Sequence, residues 1–513
     1  MPEHLRAFLY ILALTLPVFW LGRKVACGLA IEEADFKRRR NLWLALTALA
    51  FVSQNFWIYA AGAFVLMTIA GMKDPNRLGM YLFVLFAVPP FSATVAGFGG
   101  INYFVDVDHL RLLSLTILLP AYFSLRRDNE TLPFGRNVAD VSLLSYLVLQ
   151  LLLQSTVDTV TNTLRSGLYA FIDVFLPYYV ASRSLRDLKS CRDALMSFVF
   201  AAMLMAPIAA FEYLKHWLLY QNLPAAMGLH VAFGGYMDRG DSLRAVASTG
   251  HAIVLGYVVV MALGLYAFVG QTVANKRLRW LGLATLVITL LVSISRGPWV
   301  GGTAVLAVIL LSARNRFALT GRFLAIAVPV AAVLLVSPFG DKIIDLLPFV
   351  GTVDEFNVTY RQRLVTVSMD VVMMHPFLGS FDYLSVPVMQ DLVQGEGIID
   401  MVNSYLGIAL AYGFVGLTLF SGVFLSAAWG VLRGIRASSN DDELYVLGRA
   451  LLAALAGVLV TIATVSGVLS VPTVYWVLAG LCVGYANLSI RHEPGRLPEV
   501  ATANWAGSHR QHR

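Results

Sequence analysis

Apolar residues come in runs of about 15 to 25 positions along almost the whole chain, separated by short polar or basic stretches. The runs fall at 5–21, 40–54, 56–71, 78–93, 108–124, 138–154, 167–182, 194–212, 249–269, 278–295, 298–312, 322–338, 402–430, 445–468 and 471–490. Their length suits a helix crossing a bilayer, and they lack the polar–apolar alternation of a transmembrane barrel strand. A segment in lipid must satisfy its own backbone hydrogen bonds, so the pattern predicts an all-α, polytopic transmembrane helical bundle. About 14 or 15 spans are expected, and the parity depends on residues 40–71. That stretch reads either as one long tilted span or as a hairpin turning at Ser53-Gln54-Asn55. The hairpin keeps Arg38-Arg39-Arg40 and the Lys73/Arg77 loop on one side, and it is preferred.

Composition agrees with this class. Of 513 residues, 58% are hydrophobic and 13% charged, with a mean hydropathy of +0.71. The net charge of +7 matters less than its placement. The short connections are basic: Arg23, Lys24 and Lys37–Arg40; Arg126, Arg127 and Arg136; Arg183–Arg192; Lys276–Arg279; Arg314–Arg322. The positive-inside rule puts them in the cytoplasm. Scattered over many loops, they form no stripe of the kind that binds nucleic acid. Cys27, Cys191 and Cys482 lie far apart and lack metal-ligand spacing, so they read as unpaired thiols. Val25-Ala26-Cys27 has Lys24 where a lipoprotein cleavage site needs an apolar residue, and 5–21 is read as an uncleaved span.

Alternation then exports four stretches: 94–107, 155–166, 213–248 and 339–401. The last carries Lys342, Arg361 and Arg363 against nine acidic residues, as expected of a translocated, partly helical loop. Residues 1–490 read as one multi-pass membrane domain, and the polar 491–513 as a disordered cytoplasmic tail.

The candidate chemistry sits on the exported side. Ser295-Arg296-Gly297 forms a tight turn between two apolar runs, where an arginine is expensive without a partner or an anionic ligand. Arg244 precedes the span that starts near 249, and Arg361 and Arg363 open a helix in the large loop. Guanidinium stays charged at working pH and forks onto phosphate oxygens, so arginines converging from separate loops suit a pyrophosphate. Helical phase puts Arg361, Leu364, Val365, Ser368, Val372 and His375 on one face and turns Arg363 toward Asp370. Each arginine also has a plainer reading, a side chain snorkelling to lipid phosphate. Glu396, Asp400 and His375 are candidate bases, and Asn403 a candidate for orienting a hydroxyl. Asp400 reads equally well as the cap of the following helix. Gly97, Gly99 and Gly100, ahead of Asp106 and Asp108, suggest a tight bend. No Walker loop, zinc motif or dinucleotide fingerprint is present, which argues against an ATP-driven pump or a redox enzyme.

Three ordered stretches resemble the bacterial O-antigen ligase and Wzy-type polysaccharide polymerase family. They are Ser293-Ile294-Ser295-Arg296-Gly297-Pro298-Trp299; Tyr360-Arg361-Gln362-Arg363-Leu364 followed by His375-Pro376-Phe377-Leu378-Gly379; and Asp400-Met401-Val402-Asn403-Ser404-Tyr405 with Tyr412-Gly413-Phe414-Val415-Gly416. Leu243-Arg244-Ala245, ahead of His251, is similar to an earlier arginine of the family. The resemblance covers roughly residues 240–420. It implies a glycosyltransferase of the inner membrane, with its site facing the periplasm and no metal, nucleotide or other cofactor. The donor is then a glycan on undecaprenyl diphosphate, and a chain-length regulator and a flippase are implied partners. Arg244, Arg296 and Arg361 would hold the diphosphate. The family's usual His-Asn is Val402-Asn403 here, which favours an exopolysaccharide polymerase over a ligase. A transporter or flippase of an anionic lipid-linked substrate is the alternative from another class. Such proteins show paired repeats and charges at mid-membrane depth.

Overall fold

The computed structural model describes residues 1–28, 30–99, 102–231, 235–236, 238–239, 242–337, 355–393, 397–438 and 442–491. Among the described residues the chain is mainly helical, with two short two-stranded hairpins. Among the described residues nine helices are long and apolar enough to cross a membrane, and Arg296–Leu311 is a shorter apolar one. The number is below the spans read from apolar runs because several runs are not single long helices. The 108–124 and 167–182 runs are each interrupted by a π-helical stretch, Ser114–Leu118 and Ala170–Phe175. Helix Glu33–Val52 opens on a charged turn, and the 78–93 run is helical only to Val84. The 40–71 stretch does break: one helix ends at Val52, and the next starts at Phe56 with Asn55 accepting from the Trp57 amide.

Helices Leu188–Lys215 and Ala252–Val269 are buried on most sides and form the centre of the bundle. Small residues let helices approach. A Cβ at Gly264 would stand 2.5 Å from Ala454 Cα, and one at Gly256 would stand 2.7 Å from Pro298 Cβ. This is how membrane helices pack, since burial from water does not drive them together.

One end of the bundle is fastened by ion pairs among the basic connections. The fully buried Arg39 donates to Asp74 at 2.8 and 2.9 Å, to Ser197 at 2.9 Å and to Asp193. Arg183 binds Asp140 at 2.5 Å, and Arg192 binds Glu443 at 2.5 and 2.6 Å. The loops read as cytoplasmic are thus joined to one another. The other end gathers the turns read as exported. The expected glycine bend is a β-hairpin, Ala93–Ala96 against Tyr103–Val107, and Arg165 donates to its Tyr103 and Phe104 carbonyls. Asp108 caps the next helix, and Asp106 is held by Tyr169.

Candidate functional site

The Ser295-Arg296-Gly297 turn is tight for a visible reason. Helix Lys276–Val292 ends, Ile294 takes φ 42°, Ser295 is extended, and helix Arg296–Leu311 begins at once. Arg296 therefore stands at the amino end of a 16-residue helix. The first-turn amides and the helix dipole there favour an anion, and the guanidinium adds a full charge. Gly297 is set by close approach: a Cβ would lie 2.0 Å from Thr464 Oγ1, and one at Gly301 would lie 2.0 Å from Thr461 Oγ1. The pair presses this helix onto the end of helix Asp442–Ile462.

The 461–466 turn is the common support of the site. On one side it touches Gly297. On the other, Ser466 Oγ donates to Asp400 Oδ1 at 3.2 Å, and Ser404 Oγ donates to Val465 O at 2.7 Å. Asp400 in turn accepts through its carbonyl from Tyr360 Oη at 3.1 Å, one residue before Arg361. Arg361 is half-buried and opens on the same helix face as the buried Leu364, Ser368 and Val372. Arg244 comes from the opposite side, donating to Ser295 Oγ at 3.0 Å, while the Ala245 amide donates to Val292 O at 3.2 Å. Arg244, Arg296, Asp400 and Tyr360, the residue before Arg361, are thus linked by consecutive contacts.

The Arg244 loop is itself pinned by Glu212. This buried carboxylate accepts from the amides of Leu219 (3.1 Å), Val246 (2.9 Å) and Ala247 (2.7 Å), and Ala247 sits at φ 48°. His251, the cap of helix Ala252–Val269, accepts at Nδ1 from the Ile253 amide at 3.1 Å.

Several sequence expectations need correcting. The cap of helix Ser404–Ala437 is Asn403, not Asp400: its Oδ1 accepts from the amides of Tyr405 (3.0 Å) and Leu406 (3.3 Å). That leaves Asn403 only its amide NH2 for a ligand. Arg363 faces Asp391, at 3.9 Å on the surface, and not Asp370. Residues 363 and 370 share a helix face but lie roughly 10 Å apart along it, and Asp391 is the nearer carboxylate for Arg363. His375 does not share the Arg361 face, because the helix stops at Met374 and the imidazole is exposed. The His375–Gly379 segment belongs to a different junction. The Ser404–Ala437 helix breaks at Gly413 (φ 64°, ψ −168°). Phe414 and Val415 amides beyond the break donate to Pro376 O (2.7 Å) and Phe377 O (3.1 Å), and Ser380 N donates to Leu410 O (2.8 Å). That junction lies roughly two to three turns along the helix from Asn403. Glu396 lies outside the described residues.

Glu212 and the Thr461–Ser466 turn were not singled out from sequence, and Tyr360 entered only as part of a stretch resembling the family. Glu212 carried a usable signal, a lone carboxylate in an apolar run, which in a membrane protein calls for a partner. The hydroxyls at 461, 464 and 466 ran on from an apolar span and gave little. Among the described residues no three His, Cys, Asp or Glu side chains converge to hold a metal ion.

Residues 281–421 match the family model described as O-antigen ligase. The match takes in all three stretches that carry the resemblance, while Arg244, Glu212 and the 461–466 turn fall outside it. No curated protein matches the chain. The chain is thus similar, over that region, to enzymes that transfer glycans in the manner of O-antigen ligases and polymerases.

Proposed function

We propose that the chain is a glycan polymerase of the bacterial inner membrane. It moves oligosaccharide repeat units from undecaprenyl diphosphate to a growing polysaccharide on the periplasmic face, without metal or nucleotide. The observation that carries this reading is the run of contacts joining Arg244, Arg296, Asp400 and the Arg361 helix through the 461–466 turn.

The chemistry follows from those groups. The acceptor hydroxyl attacks the anomeric carbon, the bond from that carbon to the phosphate oxygen breaks, and the diphosphate leaves with its charge. Fixed cations aimed at that oxygen stabilise charge where it develops. Arg296 at a helix amino end, with Arg244 beside it and Arg361 opposite, supplies them. Asp400 takes the hydroxyl proton, and Asn403, which caps the helix through Oδ1, donates to the acceptor through Nδ2. The exposed Val365, Met369 and Met373 make an apolar edge on the same helix, turned progressively away from the Arg361 face, which suits the polyprenyl chain. The exposed Arg363 and His375 have no part in this scheme.

Val402 in place of the family histidine favours a polymerase, whereas the description of the matched family model favours a ligase that transfers a finished glycan. Product size separates them: a ladder of repeat lengths means polymerase, a single transfer means ligase. Transport across liposomes without lengthening would mean a flippase. Arg296→Ala is expected to insert and fold but to stop chain growth, with single repeat units accumulating on lipid. Polymer of normal length from that variant removes the arginine from the mechanism.

A further inference from the structure

A cavity of about 420 Å³ opens between the Tyr103–Val107 strand, the far end of helix Val138–Val157 and helix Val160–Tyr169. Its volume falls in the range of roughly 300–1,000 Å³ usual for small-ligand sites. Nothing in the proposed mechanism uses it. Gln154, Asp158, Asn162, Arg165, Tyr103 and Tyr169 carry its chemistry, with threonine and serine hydroxyls between them.

The lining is polar but its two charges are already committed. Asp158 accepts from Asn162 Nδ2 (2.5 Å), from the Thr159 amide (2.7 Å) and from Gln154 Nε2 (3.3 Å). Arg165 lies 3.6 Å over the Tyr103 ring and donates to Phe104 O (3.1 Å) and Tyr103 O (2.8 Å). The hydrogen bonds of these two side chains are turned onto the protein itself, and a lipid tail would desolvate the amides. What remains is a set of oriented, neutral groups. Gln154 and Asn162 each turn one N–H onto Asp158, which leaves a second N–H donor and the carbonyl acceptor of each, and the hydroxyls both donate and accept. Tyrosine rings add apolar faces of the kind a pyranose C–H face covers. Tyr169 is held in place by Asp106 at 2.7 and 3.2 Å and by Arg111 at 3.8 Å over its ring. Rigid aromatic walls with mixed neutral donors and acceptors suit a hydroxyl-rich, uncharged ligand.

Its position fits as well. Ser142 meets Gly422, Leu149 meets Gly416, and Tyr146 meets Tyr412 across antiparallel helices. Carried on, that register brings Asp158 level with the start of helix Ser404–Ala437, where Asp400 and Asn403 stand. We propose that this cavity is a saccharide subsite that holds sugar units of the substrate away from the diphosphate. It rests on the proposed glycan chemistry for its ligand, but not on the arginines.

The test uses the full chain in nanodiscs. The probe is the glycan fraction released by mild acid from the lipid-linked pool of the source cells, which lacks both lipid and diphosphate. Wild type and Arg296→Ala are expected to bind it equally by saturation-transfer NMR. Gln154→Ala/Asn162→Ala should weaken binding about tenfold or more, the effect of losing one or two hydrogen-bonding groups. Thr161→Trp, which fills the space without removing those amides, should weaken it as much and guards against a misfolded double variant. Wild-type binding by the cavity variants, or no binding by wild type, overturns the subsite. Normal polymer from Arg296→Ala together with lost binding in the cavity variants would remove the arginine mechanism and leave the subsite standing.

Discussion

In the proposed mechanism Arg296 depends on its neighbours as much as on its own charge. Gly297 is what lets the turn seat against the 461–466 support, since any side chain there meets Thr464 Oγ1 at 2.0 Å. Gly297→Ala is therefore expected to cut polymer formation sharply with the arginine intact. Adding Thr464→Ala removes the clashing hydroxyl and should restore part of it. If the double variant is as inactive as the single, the close approach is not what fixes the arginine. Glu212 makes the matching case for Arg244. Glu212→Ala strands three buried amide donors at about 1–3 kcal/mol each, less what relaxation and water recover. The thermal midpoint should fall by several degrees, and activity should fall with the displaced Arg244 loop. An unchanged midpoint would mean that the loop is held by other contacts. Arginines at the ends of apolar runs were legible in the sequence, because their cost in a membrane marks them out. Which polar residue caps the 404–437 helix was not, since Asp400 and Asn403 are both good caps and only the backbone path decides.

At the scale of elements, the junction between the 375–380 turn and the broken helix is the least regular piece of the fold. Both glycines are forced there. Gly413 lies at φ 64° with a Cβ position 2.3 Å from Phe377 backbone, and Gly379 lies at φ 67° with one 2.5 Å from Leu410 O. The broken helix gives up its own hydrogen bonds at Gly413, and the turn replaces them with its carbonyls. Gly413→Ala and Gly379→Ala are each expected to lower the yield of monodisperse protein in size-exclusion chromatography, and Gly407→Ala, with open space at its Cβ, is not. Equal yields for all three would contradict the junction. Apolar periodicity located most helices and the 52–56 break, because run length and caps are local signals. It missed the break at Gly413 because the apolar run passes through it unchanged. It also led His375 to be read as a candidate base, when the segment serves the backbone and the ring is exposed.

For the whole molecule, the basic loops and the candidate site lie on opposite ends of the bundle. Arg39, Asp74 and Asp193 tie three connections together at one end, and their buried pairing ties the bundle through charges that would be costly to leave alone. Among the described residues the other end is joined by fewer ion pairs, Arg111 with Asp173 among them, together with single hydrogen bonds and glycine contacts. The central claim is that arginines from separate loops grip one diphosphate. Its most direct test is the affinity of the purified chain in nanodiscs for undecaprenyl diphosphate. Arg296→Ala and Arg361→Ala should each weaken binding by about tenfold to a hundredfold, the size of a charge-assisted hydrogen bond. Undiminished affinity in either variant would show that the two guanidinium groups do not share that ligand.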